Sequence, residues 1–83
     1  MDFDTAKVDE AVLALMYLTL HDGAGGTRAW KGFDWDALAR LHERGLIENP
    51  RGKAKSVLLT DSGLKACEAL FKQQFGVSNR EHR

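Results

Sequence analysis

Apolar positions along the chain group into three helix-spaced blocks separated by two stretches rich in glycine and polar residues. In the first block Val8, Val12 and Leu15 mark one side of a helix, while Leu13, Met16, Tyr17 and Leu20 mark another. Such a helix is apolar almost all round and must be covered on more than one face. Asp4 or Thr5 can cap it, and Asp9 and Glu10 stand early, where the helix dipole favours acids. "DGAGGT" (22–27), half glycine, cannot continue it, so a helix is predicted over 5–20. The second block, "WDALARLHER", has Asp34 as N-cap, Phe33 and Leu38 placed to close a hydrophobic staple, and Gly45 as its stop, giving a helix over 34–44. The third begins at Thr60, a cap with Leu59 and Leu64 as its staple. Leu64, Cys67, Leu70, Phe71, Gln74 and Phe75 form its inward stripe and Gly76 ends it, which predicts a helix over 61–75.

Between the last two blocks, "GLIENPRGKAKSVLLT" (45–60) reads as two short strands, Leu46–Glu48 and Ser56–Leu59, around a turn on Asn49, Pro50 and Gly52. "RAWKGF" (28–33) has room for a short extended piece. "RAWKGFDW" (28–35) holds Trp30, Phe33 and Trp35, three of the seven aromatic side chains. With no helix between 22 and 32, the apolar side of helix 34–44 needs a cover, and these rings are expected to fold onto it, each burying about 150–250 Å². Arg28 and Lys31 then lay their stems over rings. The other two readings are a solvent-facing stacking site for bases or a ligand, and an aromatic contact to another protein.

Composition narrows the picture. At 83 residues, with 43% hydrophobic and 29% charged positions, the chain supports one core: a single domain over 1–76 and a polar tail, 77–83, expected to be disordered. The net charge is zero, which removes the basic excess usual in nucleic-acid binders. The concentrated positive charge lies in 49–60, where Arg51, Lys53 and Lys55 have no acid among them. Cys67 is alone and faces inward, so it is expected to be an inert small hydrophobe with no disulfide. An acidic start and an apolar run of half the length a bilayer needs predict a cytoplasmic protein with no membrane association.

No catalytic constellation emerges. His21, His42 and His82 lie apart, with no Cys or carboxylate at metal-ligand spacing, and "GAGG" follows a helix rather than a strand, so no phosphate cradle forms. His21 is expected to serve the negative end of the first helix, and His42 to sit at a boundary. No metal, cofactor or enzymatic role is expected.

The string from Asp34 to Phe71 resembles the back half of a winged-helix domain of small bacterial regulators. The resemblance rests on the helix exit "L..L...GLI" (Leu38, Leu41, Gly45, Leu46, Ile47), the basic wing (Arg51, Lys53, Lys55) and "LLTDSG" (Leu58 to Gly63). Over "LALMYLTLHDG…RAWKGFDWDALARLHERGLI" the chain also resembles a family of short bacterial proteins to which no activity is assigned. The winged-helix resemblance implies an α+β domain of three main helices with a two- or three-stranded β-wing. Its supporting helix, which in a helix-turn-helix braces the recognition helix, is replaced here by the glycine-rich stretch before Phe33, a degenerate form of the pattern.

Two functions follow. One is a non-catalytic interaction module on this scaffold, associated with regulation and binding an unidentified protein. The other is a dimeric DNA-binding transcriptional regulator whose Arg51, Lys53 and Lys55 contact phosphates, weakly and without sequence preference by themselves, with Arg40 and Arg44 offered by helix 34–44. Asp36 and Glu43 on that helix oppose the second reading, and Asp36 with Arg40 also fits a solvated i, i+4 pair. Self-association through the first and last helices is expected to use Leu13, Met16, Tyr17, Leu20, Phe71 and Phe75.

Overall fold

Three capped helices appear where the polar caps and apolar spacing place them. The structure, a computed structural model, describes residues 1–77. Residues 78–83, which include His82 and nearly all of the expected tail, lie outside the described residues. Helix α1 (Thr5–Met16) starts at Asp4, whose carboxylate accepts from the Lys7 amide at 3.2 Å. It ends in a 3₁₀ turn, Tyr17–Thr19. Helix α2 (Trp35–Glu43) is capped by Asp34, which accepts from the Ala37 amide at 3.1 Å, and stops at Gly45. Helix α3 (Asp61–Phe75) is capped by Thr60, whose hydroxyl oxygen accepts from the Gly63 amide at 3.0 Å.

The glycine-rich stretch is a β-hairpin. Strand β1 (His21–Gly23) pairs antiparallel with β2 (Gly26–Trp30), and the turn uses Gly25 at φ 86° and Gly26 at φ 141°, which L side chains rarely adopt. Strand β3 (Ser56–Leu58) then pairs with β2, with Arg28 opposite Leu58, Ala29 opposite Val57 and Trp30 opposite Ser56. The sheet order is β1-β2-β3. The domain is thus α+β, three helices with a three-stranded antiparallel sheet, a layout consistent with a winged helix.

The hairpin expected within 46–59 is corrected: strand 46–48 does not form. That segment supplies one bridge, Ile47 to Leu59, and a Glu48 amide that donates to the Leu58 carbonyl at 2.9 Å. Pro50 lacks an amide hydrogen just beyond Glu48, while β2 offers the buried Ala29, so Val57 pairs across to Ala29 instead.

Val12, Leu13 and Met16 of α1 meet Ala37, Leu38 and Leu41 of α2, Ala29 and Val57 of the sheet, Ile47, and Cys67 of α3. The start of α3 lies hard against the chain leaving α2: the Thr60 hydroxyl donates to the Gly45 carbonyl at 2.7 Å, and a Cβ on Gly63 would overlap the Leu46 carbonyl oxygen. Leu13 and Met16 are therefore not interface residues but fully enclosed core, because α1 turns its widest apolar arc toward α2, the sheet and α3. Tyr17 stacks on Phe71 (centroids 4.7 Å apart), which in turn meets Phe75 at 5.3 Å, tying the end of α1 to α3; Leu20 is half-buried.

Candidate interaction site

The core demands of α2 decide what its outer face presents. Ala37, Leu38 and Leu41 turn inward, so Trp35, Ala39 and His42, at i, i+4 and i+7, share the outer side with Asp36 and Glu43. Facing them across a cleft of about 440 Å³ are Asn49, Pro50 and Arg51. Trp35 is 58% exposed at this cleft, and Trp30 is 50% exposed on the sheet. The expectation that Trp30, Phe33 and Trp35 cover α2 is therefore corrected for both tryptophans; only Phe33, half-buried, packs on the core. The cover comes from α1 and Ile47. Strand alternation sends Trp30 outward once Ala29 points inward, and helical spacing does the same to Trp35 once Ala37 and Leu41 are inside.

The loop opposite α2 is held in place from below. Lys31 donates through Nζ to the carbonyls of Pro50 and of Gly52, the latter at 3.2 Å, and its amide donates to the Lys55 carbonyl at 3.1 Å. The Arg51 amide donates to the Asn49 side chain at 3.0 Å. Pro50 is buried, while Arg51, Lys53 and Lys55 are exposed, and none of the three has an ion-pair partner among the described residues. His42 donates from Nδ1 to the Ile47 carbonyl at 3.0 Å, so the ring belongs to the exit of α2. Lys31 is thus a clamp for the loop rather than a stem laid over a ring. Its isolation between Trp30 and Gly32 gave no sequence signal of that role.

Arg40 does not project toward a groove, nor does it pair with Asp36. Its Nε and Nη2 donate to the two carboxylate oxygens of Asp9 at 2.7 and 2.8 Å, joining α2 to α1 across a second cleft of about 420 Å³. Hydrogen bonding to Asp9 holds the guanidinium pKa above its ordinary value. Asp9 is 2% exposed, so this pair, and not the helix dipole, accounts for an acid at that position. Arg44, exposed at the helix end, lines the same cleft.

On the sheet, Trp30 leans on His21 with ring centroids 5.1 Å apart, and His21 donates from Nδ1 to the Thr19 carbonyl at 2.8 Å, serving the helix end as expected. Arg28 is consumed by structure: it donates to the Ser56 hydroxyl at 2.8 Å, the Ser56 carbonyl at 3.0 Å and the Ala24 carbonyl at 2.8 Å. Cys67 is buried, and burial pushes its thiol pKa up to about 11, which keeps it protonated and unreactive at neutral pH. Among the described residues no three potential metal ligands gather, and no helix is long and apolar enough to cross a membrane.

Residues 4–77 match the family described as Domain of unknown function (DUF6429). The chain belongs to the DUF6429 family. It is also similar to the uncharacterized protein y4hR of Sinorhizobium fredii, 55% identical over 75 residues, which cover 90% of this chain and 97% of that one. No solved structure matches it. The match to DUF6429 spans both clefts, the hairpin and all three helices.

Proposed function

We propose that this member of the DUF6429 family is a non-catalytic protein-interaction module that docks its partner in the cleft between α2 and the loop at 49–55. The observation that carries the reading is Trp35: a large ring, more than half exposed, at a cleft walled by Ala39 and Pro50. Tryptophan and arginine are the residues that anchor protein interfaces, and here Arg51 stands in the same cleft. Asp36 and Glu43 supply hydrogen-bond acceptors beside the ring, suited to a peptide segment that brings an apolar anchor flanked by basic or amide groups.

A second reading has its own support. Arg51, Lys53 and Lys55 project from a loop that Lys31 clamps, an arrangement that fits phosphate contact by a dimeric regulator. Three such contacts give an affinity that falls about 40-fold between 50 and 200 mM salt and carries no sequence information. Asp36 and Glu43 on the helix that would enter the groove oppose it, and Arg40, drawn back to Asp9, leaves Arg44 as the helix's one free cation among the described residues.

Titration of labelled random duplex DNA at 20 mM and 150 mM salt separates the two. The interaction-module reading predicts at most weak binding at 20 mM salt, abolished at 150 mM and indifferent to Trp35→Ala. Submicromolar binding at 150 mM salt that Trp35→Ala and Arg51→Glu both weaken would overturn it in favour of the regulator.

A further inference from the structure

The outer side of α1 carries an apolar row that the core uses only at one end, where Val8 packs against it. Val8, Ala11, Leu15 and Leu18 follow one another at spacings of three, four and three residues, the a/d repeat of helices that pack side by side. Val8 and Ala11 are half-buried, Leu15 is 37% exposed and Leu18, on the 3₁₀ turn, is 67% exposed. No charge interrupts the row, since Asp9 is turned to Arg40 and Glu10 lines the second cleft. Phe3, exposed just before the Asp4 cap, stands at the position where a staple to Val8 belongs.

We propose that a second copy of this chain covers this row, its α1 antiparallel to the first about a two-fold axis. Self-complementarity is the argument. Antiparallel pairing centred on the row sets Val8 against Leu18 and Ala11 against Leu15, so each small side chain meets a large one and the two rows fill one another. The charges agree. Lys7 is exposed in the first turn of α1, the end where a cation is unfavourable, and the last turn of α1 has no basic residue. The antiparallel arrangement carries each Lys7 to the other copy's helix C-terminus, and both mismatches are relieved at once. A parallel pairing relieves neither. Two helices of about 18 Å, with Phe3 at each end, make a small interface, below the roughly 1,200 Å² in total of stable ones. The dimer is therefore concentration-dependent and does not involve the cleft beside Trp35.

Sedimentation of the whole chain between 5 and 500 μM tests this. The expected result is a mass rising from one chain of 9.2 kDa to two. Leu18→Lys, at a position exposed enough to leave the fold intact, stays at one chain throughout with an unchanged helical circular-dichroism spectrum. Orientation is read by oxidising Cys variants: a mixture of Ala11→Cys and Leu15→Cys proteins forms a mixed disulfide dimer, whereas neither variant cross-links alone. A wild-type mass of one chain up to 500 μM overturns the proposal and leaves the row to a different protein. Cross-linking of each single variant with itself overturns the antiparallel arrangement.

Discussion

Helices α1 and α2 are joined along their inner sides and differ on their outer ones. The inner sides share Val12, Leu13, Met16, Leu38 and Leu41, and the Asp9–Arg40 pair crosses between them. Outside, α1 shows an aliphatic row at Val8, Ala11, Leu15 and Leu18, with Glu10 turned to the second cleft, whereas α2 shows a tryptophan among two acids, a histidine and a facing arginine. An aliphatic row gains from any dry cover but specifies little. A ring set among charges loses hydration of polar groups unless the partner answers them, which makes it selective. The two proposals follow this difference, a second copy of the chain on α1 and a selective partner on α2.

The largest effects come from breaking the shared inner side. Leu38→Ala removes a fully enclosed side chain and is expected to cost about 2–5 kcal/mol, read from urea unfolding, with both outer faces lost together. Gly63→Ala, which forces a methyl into the Leu46 carbonyl, should cost about 3 kcal/mol or more. Arg40→Met leaves the Asp9 carboxylate enclosed without its partner, so the melting temperature falls, and adding Asp9→Asn recovers part of the loss.

Cysteine chemistry then sharpens the contrast between inside and outside. With its thiol raised to about 11 by burial, Cys67 favours the folded state fully below the ordinary thiol value, and that contribution fades as pH climbs from about 9 toward 11. Cys67→Ala should flatten the stability profile in that window. At pH 8 the native thiol reacts slowly with a disulfide reagent, while a cysteine placed at the exposed Ala39 reacts at the rate of a free thiol. Smaller still is Lys31→Met. It unclamps the loop with little change in global stability, so trypsin should cut after Arg51 or Lys53 several-fold faster. Trp35→Ala should shift stability by no more than about 0.5 kcal/mol, as an exposed ring outside the core.

Much of this fold can be read from short-range signals. Asp34, Thr60 and Gly45 bound their helices because capping is a local hydrogen-bond problem that a few residues solve. Strand partners are a different matter. Ser56–Leu58 is recognisable as a strand, but its pairing with Thr27–Trp30 rather than 46–48 depends on which edge the distant hairpin offers. The Asp9–Arg40 pair, 31 residues apart in sequence, is hidden for the same reason. The exposure of Trp30 and Trp35 was within reach: parity with Ala29 and spacing from Ala37 and Leu41 send them outward, against the general tendency of large rings to be buried. At the candidate site the basic loop was visible in the charge pattern, while the cleft it forms with Trp35 and the clamp by Lys31 required the tertiary arrangement.

Partner capture from a bacterial extract, quantified by mass spectrometry after nuclease treatment, bears most directly on the division between the two outer faces. The wild-type chain and Leu18→Lys should retain the same protein, and Trp35→Ala combined with Arg51→Glu should release it at least tenfold. Equal retention by all three, or retention that nuclease abolishes, would contradict the assignment of the α2 cleft as the protein-docking site.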